Sequence, residues 1–194
     1  MRVILASKSP RRREILELMG LDFEVITEDT DESCDITQPD LLVQTLARRK
    51  GEAVVEKILA EQGDVTDTLF IACDTLVYAD KRFLGKPRDR DDAYNMLSTL
   101  SGKSHEVWSG IYLYFNGKSV TRAAVTEVEF FEMTEEEKQK YLDSGEPFDK
   151  AGGYAVQGKA ALYIKGLKGD YFNVVGLPAS LLYRTLSEEL GIAV

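Results

Sequence analysis

Apolar positions follow two different periods along this chain, and the switches between them outline its elements. Residues 3–6 form a short apolar run, which predicts a buried strand. Ile15, Leu16 and Met19 then recur at helical spacing. Pro10 suits the first helical position, Ser9 reads as N-cap and Gly20 as the stop. Residues 23–26 predict a second strand, and 27–40 are acidic and polar, as in a loop. A long amphipathic helix is expected over 41–59, with Leu42, Leu46, Ala53 and Val54 on or near one face and Arg48 and Arg49 elsewhere. The run 69–78 predicts a central strand with an Asp and a Thr inside it, followed by a tight turn to a short strand. Asp89 caps a helix reaching about residue 100. Residues 101–133 read as a long hairpin around the turn signal Asn116-Gly117. Thr134 and Glu137 stand at capping-box spacing before the next helix. A glycine-rich stretch with brief strands follows, and Pro178 opens a closing helix to about Leu190. Alternating elements interrupted by a hairpin predict an α/β fold with a mixed sheet and flanking helices. With no linker and no internal repeat, residues 1–194 read as a single domain.

Charge narrows the partners. The net charge of −9 argues against duplex nucleic acid, which needs a broad basic face. It leaves room for a small phosphorylated ligand, which needs only a few cations in one place. Basic residues cluster twice, at Arg11 to Arg13 and at Arg48 to Lys50. No apolar run reaches membrane-span length, and no charged-then-apolar leader is visible, so a cytoplasmic protein without a membrane partner is expected. Cys34 and Cys73 offer neither a disulfide framework nor a metal knuckle.

The chemistry concentrates in a few stretches. Three arginines at a helix start oppose the positive end of the helix dipole, and an incoming anion would offset that cost. In "SKSPRR", a strand runs into a helix N-terminus, where free N–H groups, the Ser7 and Ser9 hydroxyls and the arginine forks suit phosphate. A solvated basic turn fits the local sequence equally well. The Walker pattern is absent. Asp74 lies inside an apolar strand, where a carboxylate must be paired, metal-bound or bonded to backbone. It could bind a divalent ion or activate water. Gly85 would allow a ligand close to Lys86, although a lone lysine before proline is usually just surface. Gln157 can donate and accept, and so could read a base edge. The acidic loop offers Asp31 and Glu32, though such loops are usually simply solvated. His105, the sole histidine, lacks a nucleophile-elbow partner and reads as structural, as does Cys73.

Taken in order, "LASKSPRRREIL", "LARRKGEA", "IACDTLVYADKRFLGKPRDRDDAYNML", "LSGKSHEVWSG", "TEVEF", "EPFDKAGGYAVQG" and "GDYFNVVGLPAS" resemble the Maf family of nucleotide pyrophosphatases over nearly the whole chain. The resemblance implies two lobes around a deep cleft, a fold shared with inosine-triphosphate pyrophosphatases. It implies cleavage of a nucleoside triphosphate to monophosphate and pyrophosphate with a divalent metal (Mg, Mn or Co), and a homodimer. Arg11 or Arg12, Thr75 and Gln157 match the branch acting on dTTP and UTP. By position, Asp74 is the implied proton acceptor, and Ser7, Arg12, Lys50 and Lys86 the phosphate ligands. Glu32, with Asp74, is the implied metal or water ligand, and Thr75 and Gln157 the base-recognition residues. The sister branch acting on 7-methyl-GTP, and a non-catalytic nucleotide-binding regulator of cell division, are the rival expectations.

Overall fold

The computed structural model describes residues 1–193. Its elements run β1 (Arg2–Leu5), α1 (Pro10–Leu18), β2 (Glu24–Val25), α2 (Pro39–Gln62), β3 (Thr68–Ala79), β4 (Arg82–Leu84), α3 (Arg90–Leu100), β5 (Ser104–Phe115), β6 (Lys118–Phe130), α4 (Glu135–Asp143), β7 (Ile164–Lys168), α5 (Tyr171–Val175) and α6 (Ala179–Leu190). Three short 3-10 turns lie between α4 and β7. The strands form one mixed seven-stranded sheet in the order β2-β1-β3-β5-β6-β7, with β4 paired to β3. The expected α/β class with flanking helices is therefore what the chain adopts.

Several local signals act as expected. Asp89 accepts a hydrogen bond from the Asp92 amide at the start of α3. Thr134 and Glu137 complete a reciprocal capping box at α4. Asn116 and Gly117 both take positive φ at the β5–β6 turn, as a two-residue hairpin loop requires. Two expectations need correction. Ser9 occupies the N-cap position of α1, but its side chain makes no capping bond. Its own amide donates instead to the Ser7 hydroxyl at 3.3 Å. The helix expected over 41–59 extends to Pro39–Gln62, because Pro39 is itself a favourable first-turn residue and Gly63 supplies the left-handed stop.

The chain divides into two compact units. The first holds residues 1–74, 109–124 and the segment from Gly176 onward; the second holds 75–108 and 125–175. Each has its own apolar core. In the first, Ile4, Ala47, Val54, Ile58, Phe70, Ala72 and Tyr112 pack together. In the second, Val77, Leu97, Leu100, Val107, Val128, Phe130, Tyr141 and Tyr154 do so.

In the first unit, β1 is parallel to both β2 and β3, with Leu5 opposite Val25 and Ile71. Helix α2 lies unusually close to its neighbours. A Cβ on Gly51 would sit 2.1 Å from the Tyr112 ring, and one on Gly110 would sit 2.3 Å from the Val43 carbonyl oxygen. Glycine at both places lets the helix approach, and Lys50 stands beside one of these contacts.

Candidate catalytic and phosphate-binding site

The carboxyl ends of neighbouring parallel strands are where open α/β sheets gather ligand chemistry. In the first unit, β1 leads into Ser7 and α1, and β2 into the acidic loop carrying Glu32, while Asp74 lies within β3, just past Ile71, the last residue that β3 pairs with β1. The register fixes this convergence: the Ala6 amide bonds the Ile71 carbonyl at 2.8 Å, and the Ile26 amide bonds the Leu5 carbonyl at 3.2 Å.

Asp74 is buried and paired. The Lys50 Nζ donates to its Oδ1 at 2.5 Å and also lies 2.7 Å from Glu32 Oε1. Exposure grades across the trio, with the side chains of Asp74, Lys50 and Glu32 at 10%, 21% and 62% of full accessibility. Burial alone would pull the Lys50 ammonium down; the Asp74 and Glu32 carboxylates outweigh it and hold the group above its ordinary value. Lys50 is thus a cation, and the trio carries a net negative charge. This pairing is how an aspartate is tolerated inside an apolar strand.

Glu32 is held in place through its loop. The Arg49 Nη1 donates to the Asp31 carbonyl at 3.1 Å and to the Ser33 carbonyl at 2.8 Å. Asp31 does not join the trio; its carboxylate takes the Ser33 amide and hydroxyl. Lys57 pairs with Glu28 earlier in the same loop. Two successive residues of α2 therefore serve one loop, Arg49 through its backbone and Lys50 through Glu32. The "RRK" cluster signalled basic chemistry, but not this division of labour.

Arg12 is not left facing its helix dipole alone. Its Nε donates to the Gly176 carbonyl at 2.8 Å and its Nη1 to the Ser7 hydroxyl at 3.0 Å. The expectation that only an external anion would offset this charge is corrected by these protein acceptors. Ser7 is buried, and its Oγ also receives the Ser9 amide, so Ser7 sets the plane of the Arg12 fork. Arg11 is half-buried beside it. Gly176 was missed by sequence reasoning: its carbonyl acts 164 residues away from Arg12, and a glycine in "GLPAS" carries no local sign of it. The Cys73 Sγ lies 3.2 Å from the same carbonyl and is fully buried, consistent with a core residue.

The remaining expected site residues belong to the second unit. Thr75 follows Asp74 in β3 and is half-buried. Lys86 and Gln157 are exposed. Their segments meet through the Gly152 amide, which donates to the Gly85 carbonyl at 2.9 Å. Gln157 sits in a turn closed by the Gly158 amide on the Ala155 carbonyl at 3.0 Å. His105 is buried, as a structural reading requires; its Nε2 meets the Tyr154 hydroxyl at 2.6 Å. Burial pushes its imidazole down to about 4.

Fold and site together define a mixed α/β protein in which Lys50 gathers Asp74 and Glu32 beside the parallel strands, and Ser7 and Gly176 hold Arg12 on the helix that follows β1. The particular lineage follows from comparison: residues 2–189 match the model described as Maf-like protein, and the chain belongs to the Maf family. A relative from Carboxydothermus hydrogenoformans named dTTP/UTP pyrophosphatase is 45% identical over 190 residues, covering 97% of this chain and 98% of the relative. Proteins of Bacillus cereus and Bacillus anthracis with the same name are each 43% identical over 188 residues, covering 96% of this chain and 95% of the relative. Among the described residues, no helix is long and apolar enough to cross a membrane.

Proposed function

We propose that this protein hydrolyses dTTP and UTP to the nucleoside monophosphate and pyrophosphate. The observation that carries the reading is the convergence of Asp74 and Glu32 on Lys50 in a chain similar over nearly its full length to proteins named for that activity. Ser7, Arg11, Arg12, Lys50 and Lys86 serve as phosphate ligands, and Thr75 and Gln157 recognise the base. The Arg12 fork, its plane set by Gly176 and Ser7, matches phosphate oxygens two at a time.

Asp74 is the proton acceptor. It orients a water and takes its proton as the water oxygen bonds to phosphorus; the phosphorus–oxygen bond to the leaving pyrophosphate breaks. Lys50 pairs with the carboxylate and holds it in place, and the basic residues stabilise the charge moving to the leaving group.

A divalent cation belongs to the same proposal. Among the described residues no group of three His, Cys, Asp or Glu side chains is placed to hold a metal. Asp74 and Glu32 nonetheless already share one cationic atom, and two carboxylates completed by substrate phosphate oxygens are a normal donor set for Mg²⁺. Bound there with the triphosphate, the ion would supply neutralisation of phosphate charge. A cytoplasmic homodimer without a nucleic-acid partner is proposed on the family resemblance and the acidic composition.

The test is a panel of nucleoside triphosphates with Mg²⁺ or Mn²⁺ and product identification. The reading expects equimolar pyrophosphate and monophosphate, fastest from dTTP and UTP. Orthophosphate release, a preference for 7-methyl-GTP, or binding without turnover would contradict it.

A further inference from the structure

Within the second unit, the turn bearing Gln157 is held at its far end by a side chain that has no part in the chemistry described above. Glu146 lies 11 residues earlier, at the start of the 3-10 turn Glu146–Asp149. Its Oε2 accepts the Lys159 amide at 2.8 Å, and its Oε1 accepts the Ala160 amide at 3.5 Å and the Tyr141 hydroxyl at 3.0 Å. Tyr141 is buried, so the bonds from Tyr141 through Glu146 and on to residues 159 and 160 are anchored in the core. The bonds fall just after Gln157, while its side chain stays exposed.

Gly158 completes the arrangement. A Cβ there would lie 2.1 Å from Glu146 Oε1 and 2.7 Å from Oε2. The carboxylate fills the space that a side chain would need, so the turn and the glutamate fit each other. The next segment is fixed independently, because Tyr154 packs edge-on against Phe130 and His105.

We propose that Glu146 is a positioning residue for base discrimination: its carboxylate, itself held by the Tyr141 hydroxyl, fixes the turn that presents the Gln157 carboxamide to the pyrimidine base of the triphosphate. This rests on Gln157 reading the base. A carboxamide discriminates a base only when its donor and acceptor are held in register with the base edge; a turn free to shift lets other bases find partners. Glu146 makes no contact with substrate in this account and acts only through the turn.

Glu146→Gln tests it, because a carboxamide puts an N–H₂ donor against one of the three donors that the carboxylate accepts. The quantity to measure is kcat/KM for dTTP divided by that for dCTP and for dGTP, since general destabilisation lowers all three together. The expected result is a fall of about tenfold in both ratios, roughly one lost hydrogen-bonding register, with faster hydrogen exchange at the Lys159 and Ala160 amides. Gln157→Ala should lower the ratios at least as far, and the double variant no further. Tyr141→Phe removes the hydroxyl that holds the Glu146 carboxylate and should lower the ratios in the same direction; it carries the test if Glu146→Gln does not fold. Unchanged ratios in Gln157→Ala would remove the base-reading assignment and this proposal with it. Lowered ratios in Gln157→Ala beside unchanged ones in Glu146→Gln or Tyr141→Phe would overturn the positioning role alone.

Discussion

The two units place their functional side chains by different physics. In the first, charge does the placing: Lys50 gathers Asp74 and Glu32, Arg49 fixes the loop of Glu32, and Arg12 is fixed by Ser7 and Gly176. In the second, Gln157 is placed through backbone amides bonded to Glu146, which Tyr141 holds, and by a glycine that leaves room for a carboxylate. The first arrangement suits chemistry on a polyanion, where charge must be present and ionised. The second suits recognition, where position matters more than charge. Removing a charge should therefore cost rate in the first unit, and disturbing a turn should cost selectivity in the second.

The largest effect is expected at Asp74. Asp74→Asn should lower kcat on dTTP by about a thousandfold, within the range for loss of a general base, while the triphosphate still binds. Steady-state kinetics with a binding titration would check both parts.

Next in size is a stability effect in the second unit. Burial holds the folded His105 imidazole at about 4, below its ordinary value of 6.5, so between those values the unfolded chain binds the extra proton. Stability attributable to this group must then fall as pH drops through that window. Between pH 7 and pH 5 the loss is about 2 kcal/mol. Denaturant unfolding at both pH values should show a drop smaller by about that amount in His105→Gln than in the parent. An equal drop would mean the imidazole is not kept neutral by its surroundings.

Arg12→Ala should raise KM for dTTP about tenfold by removing a two-point phosphate contact, and should lower kcat less. A selective fall in kcat would instead place Arg12 on the leaving group alone. The smallest effect expected is that of Gly158→Ala. The new methyl group must displace the Glu146 carboxylate, so the dTTP preference should weaken a few-fold with little change in kcat on dTTP, as judged against dCTP and dGTP.

Much of the fold was legible because it is written in local chemistry. The Asp89 cap, the capping box at Thr134 and Glu137, and the Asn116-Gly117 turn each depend on residues within a few positions of one another. The burial of Asp74 could also be read, since it sits within "FIACDTLVY". What could not be read is who pairs with whom across the chain. Lys50 reaches Asp74 only because Gly51 and Gly110 let α2 close onto its neighbours, and no spacing rule encodes a helix-to-strand distance. Gly176 serves Arg12 through a carbonyl, a group every residue has, so its identity carries no signal. The Glu146 contacts were hidden for the same reason, since two of its three donors are backbone amides.

The central claim is that Asp74 and Lys50 work as one unit. A double-mutant cycle on kcat for dTTP tests it most directly, using Asp74→Asn, Lys50→Met and the pair together. If the lysine acts on turnover by holding the Asp74 carboxylate in place, the double variant should be about as slow as Asp74→Asn alone, because residues acting as a unit are strongly non-additive. Losses that simply multiply would show two independent contributions and contradict the account.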